Sequence, residues 1–298
     1  MNGFLDEFKN AFSKPGNGLV KIIIINLIVF LALLVLEVFL TLSGANGIYA
    51  FILQQLMLPS SIENFLVKPW TLFTYFFTHE GFFHFAFNML WLYWFGKLTM
   101  EYLGSQKLVN IYVLGGIVGG ITFIIIYNIL PFFSDQVTFA RMLGASAGVY
   151  AVVVAAATLM PNYTFFLFLI GPIKIKYIAL FYVIVSFAQT TGQNAGGNLA
   201  HLGGALIGFL FIQQMHKGVD LGKPVTKTMA FISGFFTKKP KIKVSYSSPK
   251  RKPTSTTTVI NRKANQDEID LILDKISESG YESLTKEEKQ LLFNASKK

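Results

Sequence analysis

Two residues in this sequence, Ser146 and His201, have the side chains needed for nucleophilic catalysis. A serine hydroxyl attacks a carbonyl carbon efficiently when a neighbouring base takes its proton, and a neutral imidazole is the usual base. Ser146 stands at the start of the apolar segment 146–160, and His201 stands near the start of the apolar segment 199–215. The two side chains therefore meet if these segments pack side by side as helices.

The neighbours of Ser146 are all small, since the local sequence is Gly-Ala-Ser-Ala-Gly over residues 144–148. A serine at a helix N-terminus among such residues has little steric cover, and backbone N–H groups beside it can hold an oxyanion. The alternative is an ordinary helix start whose small residues allow close packing, because serine is a common N-cap. Taken alone, the segment leaves both interpretations open.

Histidine is rare within an apolar segment, and His201 is followed by Gly204 and Gly208. Glycines four residues apart form a small-residue face that allows a neighbouring helix to approach closely. This face favours packing of segment 199–215 against segment 146–160, with His201 and Ser146 at similar depth. The alternative is a histidine that only packs or bonds to a carbonyl.

His84 and Asn88 lie near the start of a further apolar segment, at a spacing that puts both side chains on one helix face. Two hydrogen-bond donors directed at one point suit a developing oxyanion. A metal site is the alternative, because histidine at helical spacing binds zinc. Asparagine is a poor zinc ligand, no nearby carboxylate completes a ligand set, and the HExxH motif is absent. We therefore expect no metal and no cofactor.

The elements that must position these residues are membrane helices. Of the 298 residues, 52% are hydrophobic and 14% are charged, whereas soluble domains carry about a quarter charged residues. We predict an all-α membrane protein with a bundle of six transmembrane helices. The six apolar segments are 20–42, 82–100, 108–130, 146–160, 173–189 and 199–215. The chain contains no cysteine, which excludes disulfides, a thiol nucleophile and cysteine-bound metal.

The net charge of +10 is concentrated at one end of the chain, because 17 of the 26 lysines and arginines lie from Lys217 onward. A basic segment beside a membrane indicates orientation and contact with lipid headgroups rather than nucleic-acid binding. The remaining loop charges alternate in the same sense, with only Lys68 and Arg141 in the opposite loops. We predict that both termini are cytoplasmic and that Ser146, His201 and the start of the second segment face outward.

Four regions follow from this reading. Residues 1–19 form an N-terminal cytoplasmic tail and residues 20–216 form the six-span core. Residues 217–265 form a basic flexible linker, within which 229–236 could touch the membrane surface. Residues 266–298 form a small soluble helical hairpin, with Gly280 ending its first helix and a Thr285–Glu288 capping box starting its second. The polar, glycine-rich segment 189–197 is predicted to be a mobile lid over His201.

An ordered set of motifs across residues 20–215 resembles the rhomboid intramembrane serine proteases. The matching residues are Pro69 to Tyr75 leading to His79, His84 with Asn88, Gly104-Ser105, Gly144 with Ser146 and Ala147, and Asn198 with His201, Gly204 and Gly208. The resemblance implies that the chain hydrolyses peptide bonds in or near transmembrane segments of membrane proteins. Its compact core resembles prokaryotic members, so a prokaryotic cell membrane is the expected location.

The resemblance also assigns roles. Ser146 would be the nucleophile and His201 the general base and acid, without an acidic third member. The oxyanion hole would consist of His84, Asn88 and the backbone N–H of Ser146. The remaining positions would support the site: Tyr150 under the histidine ring, Gly144, Gly204 and Gly208 in packing, and Asn198 in a hydrogen bond between helices.

Two other functions fit parts of the pattern. A noncatalytic rhomboid-like protein would bind membrane proteins without cutting them, and loss of the serine or histidine would signal it, yet both are present. A transporter or channel would carry charged groups at mid-depth and inverted repeats. Only Glu37 is a clear carboxylate within a segment, near its outer end. The expected partners are membrane-protein substrates, the lipid bilayer and a cytoplasmic partner of residues 266–298.

Overall fold

The computed structural model describes residue 14 and residues 16–167, 171–236 and 266–296. These residues belong to two compact units, Met1–Lys239 and Pro240–Lys298. Most of the predicted tail 1–19, and residues 237–265 of the predicted linker, lie outside the described residues.

The first unit is built from apolar helices. In chain order its elements are α1 (Gly18–Leu42), α2 (Asn46–Leu56), β1 (Leu58–Pro59), α3 (Ile62–Val67), α4 (Thr71–Thr74), α5 (Phe82–Leu103), α6 (Ser105–Ile129), β2 (Arg141–Met142), α7 (Ser146–Leu159), β3 (Thr164–Leu167), β4 (Gly171–Lys174), α8 (Ile175–Ala188), α9 (Ala195–His216) and α10 (Lys223–Phe236). Each of the six predicted apolar segments lies on one of the helices α1, α5, α6, α7, α8 and α9. Single 3₁₀ turns at Tyr75–Phe77 and Pro131–Gln136 complete the loops.

Three of these helices, α1, α6 and α9, are long and apolar enough to cross a membrane, and α7 and α8 are shorter apolar helices. The architecture is therefore a helical membrane bundle, as predicted, and the number of six spans stays a prediction. Helix α5 is joined to α6 by Gly104 alone, whose positive φ of 81° reverses the chain between them.

Helix α7 occupies the centre of the bundle. It contacts α5, α6, α8 and α9, and its buried residues from Ala147 to Ala157 cover every side except the stripe through Ser146, Tyr150 and Val154. Its 14 residues span about 21 Å, less than the ~30 Å of a bilayer's hydrocarbon core. A short helix surrounded by others begins inside the bundle, so the residue at its start is held below the surface.

Three sequence predictions differ from the structure. Helix α9 begins at Ala195 rather than near residue 199, so residues 195–197 of the predicted lid are helical. Residues 223–236 of the predicted flexible linker form helix α10, whose apolar residues Phe231, Ile232 and Phe235 are exposed on it. The fold also contains two antiparallel strand pairs, β1 with β2 and β3 with β4, which the all-α prediction lacked.

The second unit is a pair of helices, α11 (Gln266–Ser279) and α12 (Lys286–Ala295), as predicted for residues 266–298. Gly280 follows α11 with a φ of 78°, and the capping box of Thr285 and Glu288 starts α12. Lys275 of α11 contacts the Glu288 carboxylate at 2.9 Å, which joins the two helices. Ile272 and Leu284 are buried between them.

Candidate active site

Ser146 is the first residue of α7, and Ala145 before it is the N-cap. Two hydrogen bonds from backbone N–H groups hold the preceding loop: Gly144 donates to the Tyr75 carbonyl at 2.9 Å, and Ala145 donates to the His79 side chain at Nε2, at 3.3 Å. Because Ser146 is not the N-cap, the capping alternative does not describe its position. Its side chain is left to face the bundle interior.

Residue 144 must be glycine for two reasons, its backbone conformation and the nearness of the His84 ring. Its φ of 117° lies where side-chain-bearing residues are strained, and a Cβ there would come within 2.7 Å of the His84 ring. Absence of a side chain at residue 144 therefore allows the imidazole of α5 to approach the start of α7. This contact brings His84 next to Ser146.

The Ser146 hydroxyl and the His201 imidazole form a hydrogen-bonded pair. His201 Nε2 lies 2.7 Å from Ser146 Oγ, well within the range in which a base takes a proton. The ring of Tyr150, one helical turn after Ser146, is stacked on the His201 ring with centroids 4.1 Å apart and planes 10° apart. The two predicted catalytic residues and the predicted aromatic support are therefore together.

The pair depends on the close approach of α7 and α9. A Cβ at Gly204 would lie 2.1 Å from the Ala147 carbonyl oxygen, and one at Gly208 would lie 2.2 Å from the Ala151 carbonyl oxygen. Both distances are impossible for real atoms, so only glycine permits this separation of the two backbones. The predicted packing through Gly204 and Gly208 is confirmed.

His84 and Asn88 lie on α5 beside the pair, and both line a cavity that also exposes Ser146 and His201. The Asn88 side-chain amide donates one hydrogen bond to the His84 carbonyl at 2.8 Å. A primary amide has two N–H donors, so the second is the one that a ligand oxygen would use. Asn88 is buried, which makes its donor position rigid.

Two cavities meet at Ser146. The larger, about 870 Å³, is lined by polar and charged residues that include Glu80, Arg141 and Asn194. Burial, with a smaller contribution from Glu37, raises the pKa of the Glu80 carboxyl above its ordinary value. The smaller cavity, about 460 Å³, is lined mainly by aromatic residues: Phe83, Phe87, Trp91, Tyr150 and Tyr182. The serine thus lies between a polar space suited to water and an apolar space.

The family is shown by comparison with known proteins. Residues 67–217 match the family model of the rhomboid domain. The chain belongs to the rhomboid family. Its final residues, 258–298, match a second model, described only as a family of unknown function.

Rhomboid relatives share a quarter to a third of the aligned residues with this chain. The "RHOMBOID-like protein 12, mitochondrial" of Arabidopsis thaliana is 29% identical over 168 residues, which are 53% of this chain and 50% of that protein. The "Presenilin-associated rhomboid-like protein, mitochondrial" of Mus musculus is 27% identical over 165 residues, which are 51% of this chain and 39% of that protein. The chain therefore spans half or less of the length of these relatives, and their mitochondrial names do not support the predicted prokaryotic membrane.

Asn198 links two helices of this rhomboid core. Its side-chain amide donates to the carbonyl of Gln189 at 3.0 Å, across the turn between α8 and α9. Gln189 is the C-cap of α8, and its carbonyl accepts both this bond and the Gly192 N–H at 3.0 Å, so Asn198 adds a second bond at the helix end. This is the kind of inter-helix bond predicted for Asn198.

Sequence reasoning missed Ser186 of α8. Its hydroxyl lies 3.2 Å from His201 Nδ1 and donates to the Tyr150 hydroxyl at 2.8 Å. Ser186 is 1% exposed. The signal in the sequence is a small hydroxyl in an otherwise apolar and aromatic segment, but no partner for it could be chosen without the packing of α7, α8 and α9.

His79 supports the loop before Ser146 and does not contact Ser146 or His201 through a hydrogen bond that the structure describes. It is buried, it accepts the Ala145 N–H, and its ring lies 5.3 Å from that of His84. Among the residues that the structure describes, no three histidine, aspartate or glutamate side chains are grouped as metal ligands.

Proposed function

We propose that this rhomboid protein is an intramembrane serine endopeptidase that uses Ser146 and His201. The observation that carries the proposal is the 2.7 Å contact between Ser146 Oγ and His201 Nε2. A half-buried serine hydroxyl that opens on two cavities, beside an imidazole whose ring is held by an aromatic stack, is arranged for proton transfer and attack on a carbonyl. The pair contains no carboxylate, so the base is the imidazole alone.

The reaction would proceed in two halves. His201 Nε2 takes the Ser146 proton while Oγ bonds to the carbonyl carbon of the scissile peptide. The resulting oxyanion is held by His84, by the second N–H of Asn88 and by the backbone N–H of Ser146. Nε2 then gives its proton to the leaving amine, and the C–N bond breaks. A water molecule, deprotonated by the same nitrogen, hydrolyses the acyl-enzyme and restores the serine.

The substrates would be membrane-spanning segments of other proteins. A regular helix hides its amides in hydrogen bonds, so the segment must unwind locally before its carbonyl reaches Ser146. The larger, polar cavity would supply the water, and the apolar cavity would receive side chains. We further propose that both termini are cytoplasmic. Besides the substrates, the protein would contact the lipid bilayer and bind a cytoplasmic partner through residues 266–298. Nucleic acid is not among them.

The test is cleavage of a single-span substrate in liposomes by the wild type, Ser146→Ala and His201→Ala. Ser134→Ala, which removes an exposed hydroxyl outside the site, is the matched control. We expect the wild type and the control to cut and both site variants to lose all measurable turnover. A fluorophosphonate probe should label the wild type and not Ser146→Ala. Cleavage by Ser146→Ala at the wild-type rate would overturn the assignment.

A wild type that binds several substrates and cuts none would support the noncatalytic alternative. The intact Ser146–His201 pair argues against this alternative, whereas the relatives named above carry only "rhomboid-like" in their names. Co-purification of an uncut membrane protein with both wild type and Ser146→Ala would be its signature.

A further inference from the structure

The His201 imidazole is the first of three side chains, one from each of three helices, that are joined by polar contacts on the side away from Ser146. Ser186 of α8 lies 3.2 Å from His201 Nδ1 of α9, and its hydroxyl donates to the Tyr150 hydroxyl of α7 at 2.8 Å. The contact uses the ring nitrogen that faces away from Ser146. Ser186 is buried, so water does not compete for these bonds.

The direction of the bond between the Ser186 and Tyr150 hydroxyls favours one position of the proton on the His201 ring. A hydroxyl has one hydrogen and two lone pairs. With its hydrogen directed at Tyr150, Ser186 presents only lone pairs to Nδ1, so that nitrogen must donate. A neutral ring with its hydrogen on Nδ1 has an unprotonated Nε2, and Nε2 is the atom 2.7 Å from Ser146 Oγ.

We propose that Ser186 is a positioning residue that holds His201 in the tautomer able to accept the Ser146 proton. It occupies the place where a carboxylate would stand in a three-membered catalytic set, and it acts through a neutral hydroxyl. When Nε2 gains the proton, the ring becomes a cation, and Ser186 accepts a stronger hydrogen bond from Nδ1. The inference deepens the proposed protease function and rests on it for its effect on turnover.

The reverse direction gives a site that could not work. If the Tyr150 hydroxyl donated to Ser186 and Ser186 donated to Nδ1, the ring hydrogen would sit on Nε2. An Nε2–H group would then face the Ser146 hydroxyl and could not take its proton. Removing Ser186 should therefore change the population of tautomers, not the affinity for substrate.

The kinetic test compares Ser186→Ala, Ser186→Cys and Ser186→Thr with the wild type on a single-span substrate in liposomes. Cysteine keeps the volume but is a weak hydrogen-bond acceptor, and threonine keeps the hydroxyl. We expect alanine and cysteine to lower kcat by roughly 10- to 100-fold with KM changed less than about twofold, and threonine to recover most of kcat. Thr99→Val, which removes a buried hydroxyl bonded to the Phe95 carbonyl at 2.8 Å, should leave kcat unchanged.

A kcat for Ser186→Ala within about twofold of the wild type, in a protein that cuts, would overturn the inference. So would a threonine variant as slow as alanine with an unchanged melting temperature. Histidine ¹⁵N spectra of the resting protein supply a readout that does not need cleavage, with the His201 signals identified by their loss in His201→Gln. We expect the Nδ1–H form in the wild type and a rise of the Nε2–H form in Ser186→Ala.

These readouts separate two failures. A wild type that cuts nothing, with the expected tautomer change in its spectra, would refute the protease proposal and leave the role of Ser186 in place. A wild type that cuts, with the same His201 spectrum in both proteins, would refute the role of Ser186 and leave the protease proposal in place.

Discussion

At the scale of single residues, the ring of His201 is held on its face and at both nitrogens. Tyr150 covers its face at 4.1 Å, Ser146 contacts Nε2, and Ser186 contacts Nδ1. An imidazole that is free to rotate would lose the alignment needed for proton transfer, and each of these contacts restricts the rotation of the ring. Tyr150 has two parts in this arrangement, because its ring stacks and its hydroxyl receives the Ser186 hydrogen.

Substitutions of Tyr150 separate these parts. Tyr150→Phe keeps the stacked ring but removes the acceptor for Ser186, whereas Tyr150→Leu removes both. We expect phenylalanine to lower kcat by about 2- to 5-fold and leucine to lower it by more than about tenfold, since a stacked aromatic pair contributes roughly 0.5–1.5 kcal/mol. Steady-state cleavage in liposomes measures both. Equal rates for Tyr150→Leu and the wild type would show that the stack has no part in orienting His201.

At the scale of elements, the site is a consequence of how closely α7 and α9 pack. The backbone of α9 touches the Ala147 and Ala151 carbonyls through Gly204 and Gly208, which leaves no room for any side chain. A separation of the helices by one methyl group would move His201 away from Ser146. Stability and activity are therefore coupled at these glycines.

Gly208→Ala tests this coupling two helical turns away from His201. The new Cβ would lie 2.2 Å from the Ala151 carbonyl oxygen, so the helices must separate, at a cost of about 1–3 kcal/mol. We expect a lower melting temperature in detergent and a loss of turnover. Gly47→Ala is the matched control, because a Cβ at Gly47 in α2 meets nothing within 4 Å. A Gly208→Ala variant as stable and active as Gly47→Ala would contradict the packing argument.

Polar contacts near the start of α6 join it to α10 and to the loop that precedes α10. Lys107 pairs with Asp220, and Asn110 donates to the Thr226 hydroxyl at 2.9 Å. The hydrogen bond from Lys107, aided by the Gly222 N–H, holds the pKa of the Asp220 carboxyl below its ordinary value of 3.8. A carboxyl with a lowered pKa in the folded state stabilises it above the ordinary pKa.

Asp220→Asn should therefore destabilise the protein at neutral pH and not at acid pH. We expect a deficit of about 0.2–1 kcal/mol at pH 7, because the pair is partly solvated. The deficit should disappear as the pH falls through the lowered pKa, where the wild-type carboxyl becomes protonated. Melting temperatures in detergent across this range give the measurement, with Asp135→Asn in an exposed loop as control. Equal melting temperatures of Asp220→Asn and wild type at pH 7 would contradict a stabilising pair.

The sequence predicted the elements and the pair well because polar residues within apolar segments are few. Ser146, His201, His84 and Asn88 were chosen for that reason, and glycine spacing then indicated which helices meet. The start of α9 lies earlier than predicted, because Gly196 and Gly197 are weak helix formers whose low propensity tertiary contacts override. Ser186 was missed because its partners come from two other helices, and no local pattern encodes that contact.

At the scale of the whole molecule, the site and the C-terminal helical pair belong to different compact units. All the residues of the proposed mechanism lie in the unit Met1–Lys239, and the pair α11 and α12 lies in the unit Pro240–Lys298. The helical pair has its own capping box, its own buried residues and an ion pair between Lys275 and Glu288. It also exposes Leu271 and Phe293, which are 69% and 54% exposed. Leu271 and Phe293 are the exposed apolar positions at which the partner proposed for residues 266–298 would be tested.

Deletion of residues 266–298 should therefore leave the chemistry intact and remove an interaction. We expect turnover of a purified single-span substrate in liposomes to stay within about twofold of the wild type, because no group that acts on the peptide bond is removed. Proteins that co-purify with the full chain through this unit should be lost, and Leu271→Ser combined with Phe293→Ser should cause the same loss in the full chain. A tenfold fall in turnover of the purified protein on deletion would instead assign the helical pair a part in catalysis, since no partner is present in that assay. Retention of every co-purifying protein, with turnover also unchanged, would remove the partner-binding role.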